Sequence, residues 1–322
     1  MKKIAILANP AAGKSRALKH AFHARAELWG RSCEYIFPSS IAELQGLYHQ
    51  FSSESYEAVI LIGGDGTLNQ FIRKHFNSLS ADRKTRGIPI LIFPGGTAND
   101  LAKELGIHPD WNQIQTLLDH KKYSLMDLIE VNGIPFATVG GVGLGSVLTS
   151  EFNSKRYHSL MFKGLSRLLQ SQIYSLLSAK MVLLGSDYIH HLQIKTTGFD
   201  EKLKTPAIFL CNQSHLGGGL RVAPDNDNSD RRFNVLIVPS YSRIKLLKAL
   251  LQLKSGILPS DFLVFSTDDL TIQSLDSEEL KVFGDGEYLT QSRQLHFRVQ
   301  AQALPIYRAQ ARAQERIYSG VV

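Results

Sequence analysis

One stretch constrains the fold of this chain more than any other. Residues 58–69 read AVILIGGDGTLN, a continuous apolar run followed by three glycines and then by apolar residues at helical spacing. The run is typical of a strand covered on both faces. Glycine permits positive φ and lets a ligand approach the backbone, while a helix start offers free N–H groups to a phosphate. The stretch predicts a strand, a glycine turn and a helix from Thr67; a tight turn capped by Asp65 is the plain structural alternative.

The same pattern recurs at the next strand. Residues 88–93 (IPILIF) are apolar, PGGTAND follows at 94–100, and Gly106 stands where a helix cap is expected. Strands and helices alternate over the whole of residues 1–125, which predicts a parallel sheet with helices on both faces. Both glycine loops then lie at the carboxyl edge of the sheet, where such sheets bind ligands.

The first strand leads into a loop that matches only part of the P-loop pattern. Residues 9–15 read NPAAGKS, so that Gly13, Lys14 and Ser15 fit the pattern, but Ala8 stands where its first glycine is required. The missing glycine argues against an ATPase-type P-loop. The alternative is a helix entry with a solvated lysine, followed by a helix over residues 15–29.

From Tyr123 onward the pattern is rich in strands. It predicts a β-sandwich domain over residues 126–302, interrupted by helices at 158–180 and 243–254. Residues 303–322 are a candidate to pack back on the first domain. The tail from 305 to 318 is predicted to be helical, with Arg308, Arg312 and Arg316 in one stripe. That stripe is either a solvated face or a contact for anionic lipid headgroups.

The amino-acid composition limits the classes of partner and the cellular compartment that are expected for this protein. The net charge of +7 favours an anionic partner, and the absence of an aromatic-rich basic cluster argues against nucleic acid. Cys33 and Cys211 are isolated, which is typical of a reducing compartment and argues against a zinc site. No apolar run approaches the roughly 18 residues of a membrane span. The apolar start before Asn9 is too short for a signal peptide, so a cytoplasmic protein is expected.

The glycine motifs together carry a specific resemblance. GGDGTLNQ at 63–70 and PGGTANDLAKELGI at 94–107 resemble the diacylglycerol kinase catalytic family, whose more distant superfamily includes NAD kinases and phosphofructokinases. GGGLRVAP at 217–224 and FGDGE at 283–287 extend the resemblance over nearly the whole chain. It implies a Rossmann-like three-layer α/β domain that binds nucleotide, a C-terminal β-sandwich domain, and an active site in the cleft between them.

The resemblance also implies a set of residues that bind ATP. Ser39 is the loosest match, since Ser40 fits equally well. Asp65 and Asp100 are implied to order Mg²⁺, partly through water. The implied nucleotide-binding residues are Asn9, Gly13, Lys14, Ser39, Gly63, Gly64, Asp65, Gly66, Thr67, Asn69, Gly96, Thr97 and Asp100.

Three carboxylates are implied to act in catalysis. Asp65 belongs to the nucleotide loop, and Asp285 and Glu287 form the family's Asp-Gly-Glu motif. One of the latter two takes the proton from the acceptor hydroxyl, and the sequence does not rank them. Asp-Gly is also a strong hairpin signal, and a turn that presents two carboxylates satisfies both readings.

Two further loops are ambiguous. The resemblance implies a structural Mg²⁺ held by the Asp230 carboxylate and the carbonyls of Asp227 and Arg232, but Arg231 stands where the family has glycine. A solvated acidic loop without metal is the alternative. Residues 141–146 (GVGLGS) resemble a dinucleotide fingerprint superficially. They are read as a flexible corner or as a wall of the lipid cleft.

The expected activity is ATP- and Mg²⁺-dependent transfer of the γ-phosphate to a lipid hydroxyl. The lipid is presented at a membrane surface, so transient peripheral association is expected. A soluble acceptor, as in an NAD kinase, and a non-catalytic nucleotide- or lipid-binding protein are the alternatives. The acceptor (diacylglycerol, a sphingoid base, ceramide, phosphatidylglycerol or another lipid) and the formation of a homodimer are left open.

Overall fold

The computed structural model describes residues 2–9, 30–47, 51, 55–79, 87–95, 99–147, 149–150, 189–216, 220–223 and 226–309. The helices predicted over 15–29 and 158–180, and the glycines at 217–219, lie outside these residues. The chain divides into two compact units, one formed by Met1–Asp127 with Ala301–Val322 and the other by Leu128–Gln300.

The first unit is an α/β domain with parallel strands, as predicted. Its strands lie in the order β2-β1-β3-β4. They are β1 (Lys3–Ala8), β2 (Cys33–Ile36), β3 (Tyr56–Gly63) and β4 (Ile90–Pro94), and the described helices are α1 (Ile41–Leu47), α2 (Asp65–Leu79), α3 (Asp100–Glu104) and α4 (Trp111–Asp119). The apolar runs of β1, β3 and β4 are almost wholly buried, which is why the sequence indicated them clearly.

The last strand among the described residues ends in the first unit. β18 (Gln294–Tyr307) pairs in parallel with β4 through Ile306 and Ile90. Leu304, Ile306 and Tyr307 are buried, and burial raises the pKa of the Tyr307 hydroxyl above its usual range. The prediction of a helix from residue 305 is therefore wrong for 305–307, because these side chains extend the sheet and bury apolar surface. Arg312 and Arg316 lie outside the described residues.

Among the described residues, the second unit contains two larger antiparallel sheets and a two-stranded one formed by β11 and β12. One of the larger sheets has the order β9-β8-β15-β18 and the other the order β14-β13-β10-β7-β16-β17. The strands are β5 (Tyr123–Val131), β6 (Ile134–Phe136), β7 (Val139–Gly143), β8 (His190–Thr196), β9 (Phe199–Thr205), β10 (Ala207–Cys211), β11 (His215–Leu216), β12 (Leu220–Arg221), β13 (Phe233–Val238), β14 (Leu263–Thr267), β15 (Asp269–Ser274), β16 (Leu280–Gly284) and β17 (Glu287–Ser292). A helix, α5 (Arg243–Lys254), follows β13 at the predicted position.

Both larger sheets of the second unit contribute to one core. Leu192, Ile272 and Phe297 come from one sheet, and Ile208 and Val282 come from the other. A shared apolar core between two sheets is the arrangement of a β-sandwich. The predicted β-rich C-terminal domain is confirmed.

Residues 141–143 of the segment read as a flexible corner or as a wall of the lipid cleft belong to a central strand, β7. β7 pairs with β10 on one side and with β16 on the other. A Cβ at Gly141 would lie 2.0 Å from the Ile208 carbonyl oxygen, and one at Gly140 would lie 2.7 Å from the Phe136 ring. The glycines are needed because neighbouring strands approach this strand closely and because Gly143 has a positive φ of 82°.

The half-buried side chain of His190 predicts an acid sensitivity of the second unit. Desolvation lowers its pKa below the usual value of 6.5, although Asp276 and Glu278 act in the opposite direction. Folding then favours the neutral imidazole, so the unfolded chain binds more protons and stability is lost as pH falls through 6.5. We expect His190→Gln to reduce the loss of urea resistance between neutral and mildly acid pH. The exposed His108→Gln is the control, and equal acid sensitivity in wild type and His190→Gln would contradict this.

Candidate functional site

In the first unit, the end of β1 is bonded to the start of α2. Asn9 is buried; its backbone N–H donates to the Ile62 carbonyl at 3.0 Å and its side-chain Nδ2 donates to Thr67 Oγ1 at 2.8 Å. Thr67 is itself only 3% exposed. Two of the predicted nucleotide-binding residues are thus in direct contact.

The glycines of the GGDG segment do not form the expected turn with positive φ. None of Gly63, Gly64 and Gly66 has positive φ, and the helix begins at Asp65 rather than at Thr67. A Cβ at Gly63 would lie 2.1 Å from Thr67 Oγ1. Gly63 therefore provides space for the threonine, whereas Gly66 lies in the first helical turn with nothing within 4 Å of an added Cβ.

Asp65 connects the two glycine corners. Its carboxylate accepts hydrogen bonds from the backbone N–H of Asp100 at 3.0 Å and of Leu101 at 3.3 Å. α3 has no cap from its own N-cap side chain, because Asn99 adopts a left-handed φ of 53° and makes no such bond. Asp65 supplies the missing cap from a position 35 residues earlier. A backbone bond of 2.8 Å from Gly95 N–H to the Gly63 carbonyl joins the corners a second time.

Asn69 provides a test of whether a phosphate-bearing ligand fits. Asn69 is 1% exposed, and both polar atoms of its side chain lack a hydrogen-bond partner in the part of the chain that the structure describes. An unpaired buried amide costs free energy unless a ligand or water completes it. The two corners also approach each other closely, since a Cβ added at Gly95 would lie 3.3 Å from the Gly63 nitrogen. These features suit a nucleotide.

The predicted magnesium ligands do not form a cage by themselves. The Asp65 carboxylate is bonded to two amides, and the Asp100 carboxylate pairs with Lys103 at 3.1 Å. Among the described residues, no three His, Cys, Asp or Glu side chains are grouped to hold a metal ion. Mg²⁺ usually binds one or two carboxylates together with water and substrate phosphates, so Asp65 and Asp100 stay predictions as its ligands.

Ser39 belongs to a helix cap. The Glu43 carboxylate accepts hydrogen bonds from the N–H and the hydroxyl of Ser39, both at 2.7 Å, and these bonds lower the pKa of Glu43. Ser40 completes the reciprocal pattern by accepting from the Glu43 N–H at 3.2 Å. The S-x-x-E spacing at 40–43 was the signal that could have shown this. Gly13, Lys14, Gly96 and Thr97 lie outside the described residues.

In the second unit, the Asp-Gly-Glu motif forms a hairpin turn. Asp285 and Gly286 both have positive φ, 54° and 76°, as a two-residue turn between β16 and β17 requires. Asp285 is 8% exposed, and its carboxylate accepts hydrogen bonds from Ala137 N–H at 2.9 Å, Thr138 N–H at 2.7 Å and the Thr138 hydroxyl at 2.5 Å. Glu287 opens β17 and is half-buried.

These bonds distinguish the two carboxylates. Proton transfer to Asp285 would disturb several hydrogen bonds at once. Glu287 takes no part in these bonds from Ala137 and Thr138. Sequence reasoning missed two residues that hold the corner. They are Thr138 and Asn212, whose side-chain Nδ2 donates to the Ala137 carbonyl at 2.9 Å. No local motif marks them, since both contacts join distant parts of the chain.

In the acidic loop, aspartate side chains close short turns by accepting a hydrogen bond from the backbone N–H two residues later. The Asp227 carboxylate accepts from the Ser229 N–H at 3.0 Å, and that of Asp230 accepts from the Arg232 N–H at 2.9 Å. The Arg232 guanidinium donates to the Ser266 carbonyl. Arg231 has a left-handed φ of 65°, so it retains the backbone conformation that glycine prefers at this place. The structural Mg²⁺ at Asp227, Asp230 and Arg232 stays a prediction.

Comparison with known families agrees with the resemblance. Residues 3–131 match the diacylglycerol kinase catalytic domain, and residues 175–308 match the YegS C-terminal NAD kinase beta sandwich-like domain. The chain belongs to the diacylglycerol kinase catalytic-domain family. Both halves of the fold therefore have a family counterpart.

Relatives match along most of the chain. A diacylglycerol kinase of Mycobacterium tuberculosis is 27% identical over 297 residues, 89% of this chain and 89% of that protein. One of Bacillus subtilis is 24% identical over 295 residues, 89% of this chain and 90% of that protein. A crystal structure described as a diacylglycerol kinase from Bacillus anthracis covers 95% of this chain and 97% of its own, with a TM-score of 0.67 at 15% identity. This last likeness shows the fold.

Among the helices of the described residues, none combines the length and the apolar character needed to cross a membrane.

Gly63 and Gly66 form a matched pair for mutation. We expect Gly63→Ala to lower the free energy of unfolding by about 1–3 kcal/mol, because the added methyl group collides with Thr67. Gly66→Ala should be neutral or stabilising by up to about 1 kcal/mol, because alanine is the better helix former and the space is open. Urea unfolding measures both. Equal losses in the two variants would contradict the assigned role of Gly63.

Proposed function

We propose that this protein is an ATP-dependent lipid kinase that transfers the γ-phosphate to a lipid hydroxyl. Its family and the names of its relatives support the lipid kinase assignment. The observation that carries the nucleotide part is the link made by Asp65, which joins two glycine corners beside the uncompleted amide of Asn69. A buried arrangement of this kind is suited to a phosphate chain.

The first unit would position the nucleotide. Asn9 donates to Thr67 Oγ1, so the Thr67 hydroxyl proton is directed away from Asn9 and can be donated to a phosphate oxygen. The Asn69 amide gains partners in the same event. Mg²⁺, when bound with the nucleotide, would neutralise phosphate charge. Phosphoryl transfer depends mainly on such positioning and charge stabilisation.

The second unit would supply the base. We assign Glu287 to accept the proton of the attacking lipid hydroxyl. Asp285 is a positioning residue, since its carboxylate fixes the turn that precedes Glu287 by bonds to Ala137 and Thr138. Activity then depends on both residues, for different reasons.

Transfer of labelled γ-phosphate from ATP–Mg²⁺ tests this proposal. The acceptors are diacylglycerol, a sphingoid base, ceramide and phosphatidylglycerol in mixed micelles, with NAD as a soluble acceptor. We expect label in at least one lipid. Label in NAD alone would place the protein with the soluble-acceptor kinases. No transfer by folded protein that binds ATP would indicate a non-catalytic binding protein.

Glu287 and Asp285 can be separated by paired variants. We expect Glu287→Gln to lower kcat by about 10²–10⁴-fold, because the proton acceptor is lost. Asp285→Asn should lower the free energy of unfolding by about 1–3 kcal/mol, because its NH₂ group meets N–H donors of Ala137 and Thr138. Steady-state kinetics and thermal melts on both variants are required. An active Glu287→Gln would contradict the assignment of the base.

A further inference from the structure

Helix α5 has an unusual composition for a helix on a β-sandwich. Its sequence, RIKLLKALLQLK, contains four basic residues and no acidic residue. The absence of acids continues through Ser260. The segment 243–260 is therefore strongly cationic and rich in large aliphatic side chains.

The inner face of α5 satisfies the needs of folding. Leu246, Ala249 and Leu253 are buried in one apolar cluster together with Val238 and Phe262. These three helical residues recur at the spacing of a single face. Leu247 and Leu250 are partly buried against the same cluster, which leaves Ile244 and Leu251 as the aliphatic residues of the helix outside it.

The opposite face carries aliphatic residues that folding does not use. Ile244 is 68% exposed and Leu251 is 59% exposed, and their spacing of seven residues puts them on one face, away from the buried stripe. Lys248 lies between them and is exposed. Beyond the end of the helix, Ile257 is 56% exposed. Several exposed large aliphatic side chains in one short segment indicate a binding surface.

The charges of the segment select the kind of partner. Lys245 is held by Asp261 at 2.8 Å and lies 4.0 Å from the centre of the Tyr241 ring, so it serves the local structure. Lys248 and Lys254 are exposed beside the aliphatic residues. Aliphatic side chains interleaved with lysines suit an anionic bilayer, where the former enter the interface and the latter meet headgroup phosphates. Nucleic acid would not require the aliphatic residues.

We propose that a docking patch of Ile244, Lys248, Leu251, Lys254 and Ile257 binds the surface of an anionic lipid bilayer. The proposal rests on the proposed function, since a lipid kinase must meet an acceptor that resides in a membrane. The patch deepens that function by naming the surface and the headgroup charge that bring the protein to its substrate.

Vesicle co-sedimentation of the full chain, without nucleotide, tests the patch. The vesicles are phosphatidylcholine alone and equal parts of phosphatidylcholine and phosphatidylglycerol. We expect binding to the anionic vesicles only. Lys248→Gln combined with Lys254→Gln should weaken it by about twenty-five-fold, since each charge near the surface contributes about fivefold. Leu251→Gln should weaken it by roughly tenfold through lost apolar insertion.

Matched controls separate the patch from general effects. Lys204→Gln and Leu275→Gln make the same chemical changes at exposed positions elsewhere in the second unit and should leave binding unchanged. Thermal melts of every variant check folding. Binding that is equal in wild type and the patch variants, or equal on neutral and anionic vesicles, would overturn the proposal. An altered sedimentation-velocity mass of Leu251→Gln, with vesicle binding retained, would assign the face to a second copy of the chain instead.

The same variants distinguish this inference from the proposed function. Phosphate transfer to a short-chain diacylglycerol dissolved as monomer should be unchanged in the patch variants, because no bilayer is involved. Vesicle binding without any phosphate transfer would contradict the kinase proposal and leave the patch intact. If phosphate transfer proceeds and the patch variants still bind vesicles like wild type, the docking patch is contradicted while the kinase proposal stands.

Discussion

The first unit depends on the carboxylate of Asp65. It accepts backbone hydrogen bonds from Asp100 and Leu101 and so caps a helix of five residues whose own N-cap side chain makes no such bond. Hydrogen bonds from amides to a carboxylate are stronger than neutral ones, and a negative charge at a helix start is favoured by the helix dipole. One side chain thereby joins the loop after β3 to the loop after β4. The polar groups proposed for phosphate, Thr67 and Asn69, lie in the helix that begins with this aspartate.

The second unit contains a similar interaction, in which an aspartate carboxylate binds the backbone of a distant segment. Asp285, like Asp65, stands between two glycines, and its carboxylate accepts backbone hydrogen bonds from a segment far away in the sequence, at Ala137 and Thr138. In both units a Gly-Asp-Gly motif therefore clamps two loops together. The motif resemblance implies catalytic roles for Asp65 and Asp285. In this fold, the carboxylates of both residues have a structural role, because they hold two loops together. Glu287, Thr67 and Asn69 are consequently the more direct candidates for contact with the reacting groups.

Much of the fold could be predicted from sequence because burial leaves a pattern. β1, β3 and β4 are apolar runs covered on both faces, and the inner face of α5 has helical spacing. β9 has a weak sequence signal because its charged residues are exposed at a sheet edge, and β7 has one because its glycines serve close neighbouring strands and a positive φ at Gly143. The site was only partly predictable for the same reason. Asp65 was identified as a residue, but its partners are 35 and 36 positions away, and contacts at such distances have no signature in a single sequence.

The dependence of the nucleotide site on Asp65 can be measured directly with Asp65→Asn. The asparagine is similar in size but presents one acceptor instead of two, so an amide of α3 loses its partner. We predict that hydrogen exchange at Asp100 and Leu101 becomes faster and that calorimetric ATP affinity falls by about tenfold or more in the same variant. Faster exchange at these two amides with unchanged ATP affinity would contradict the claim that the Asp65 link builds the phosphate site.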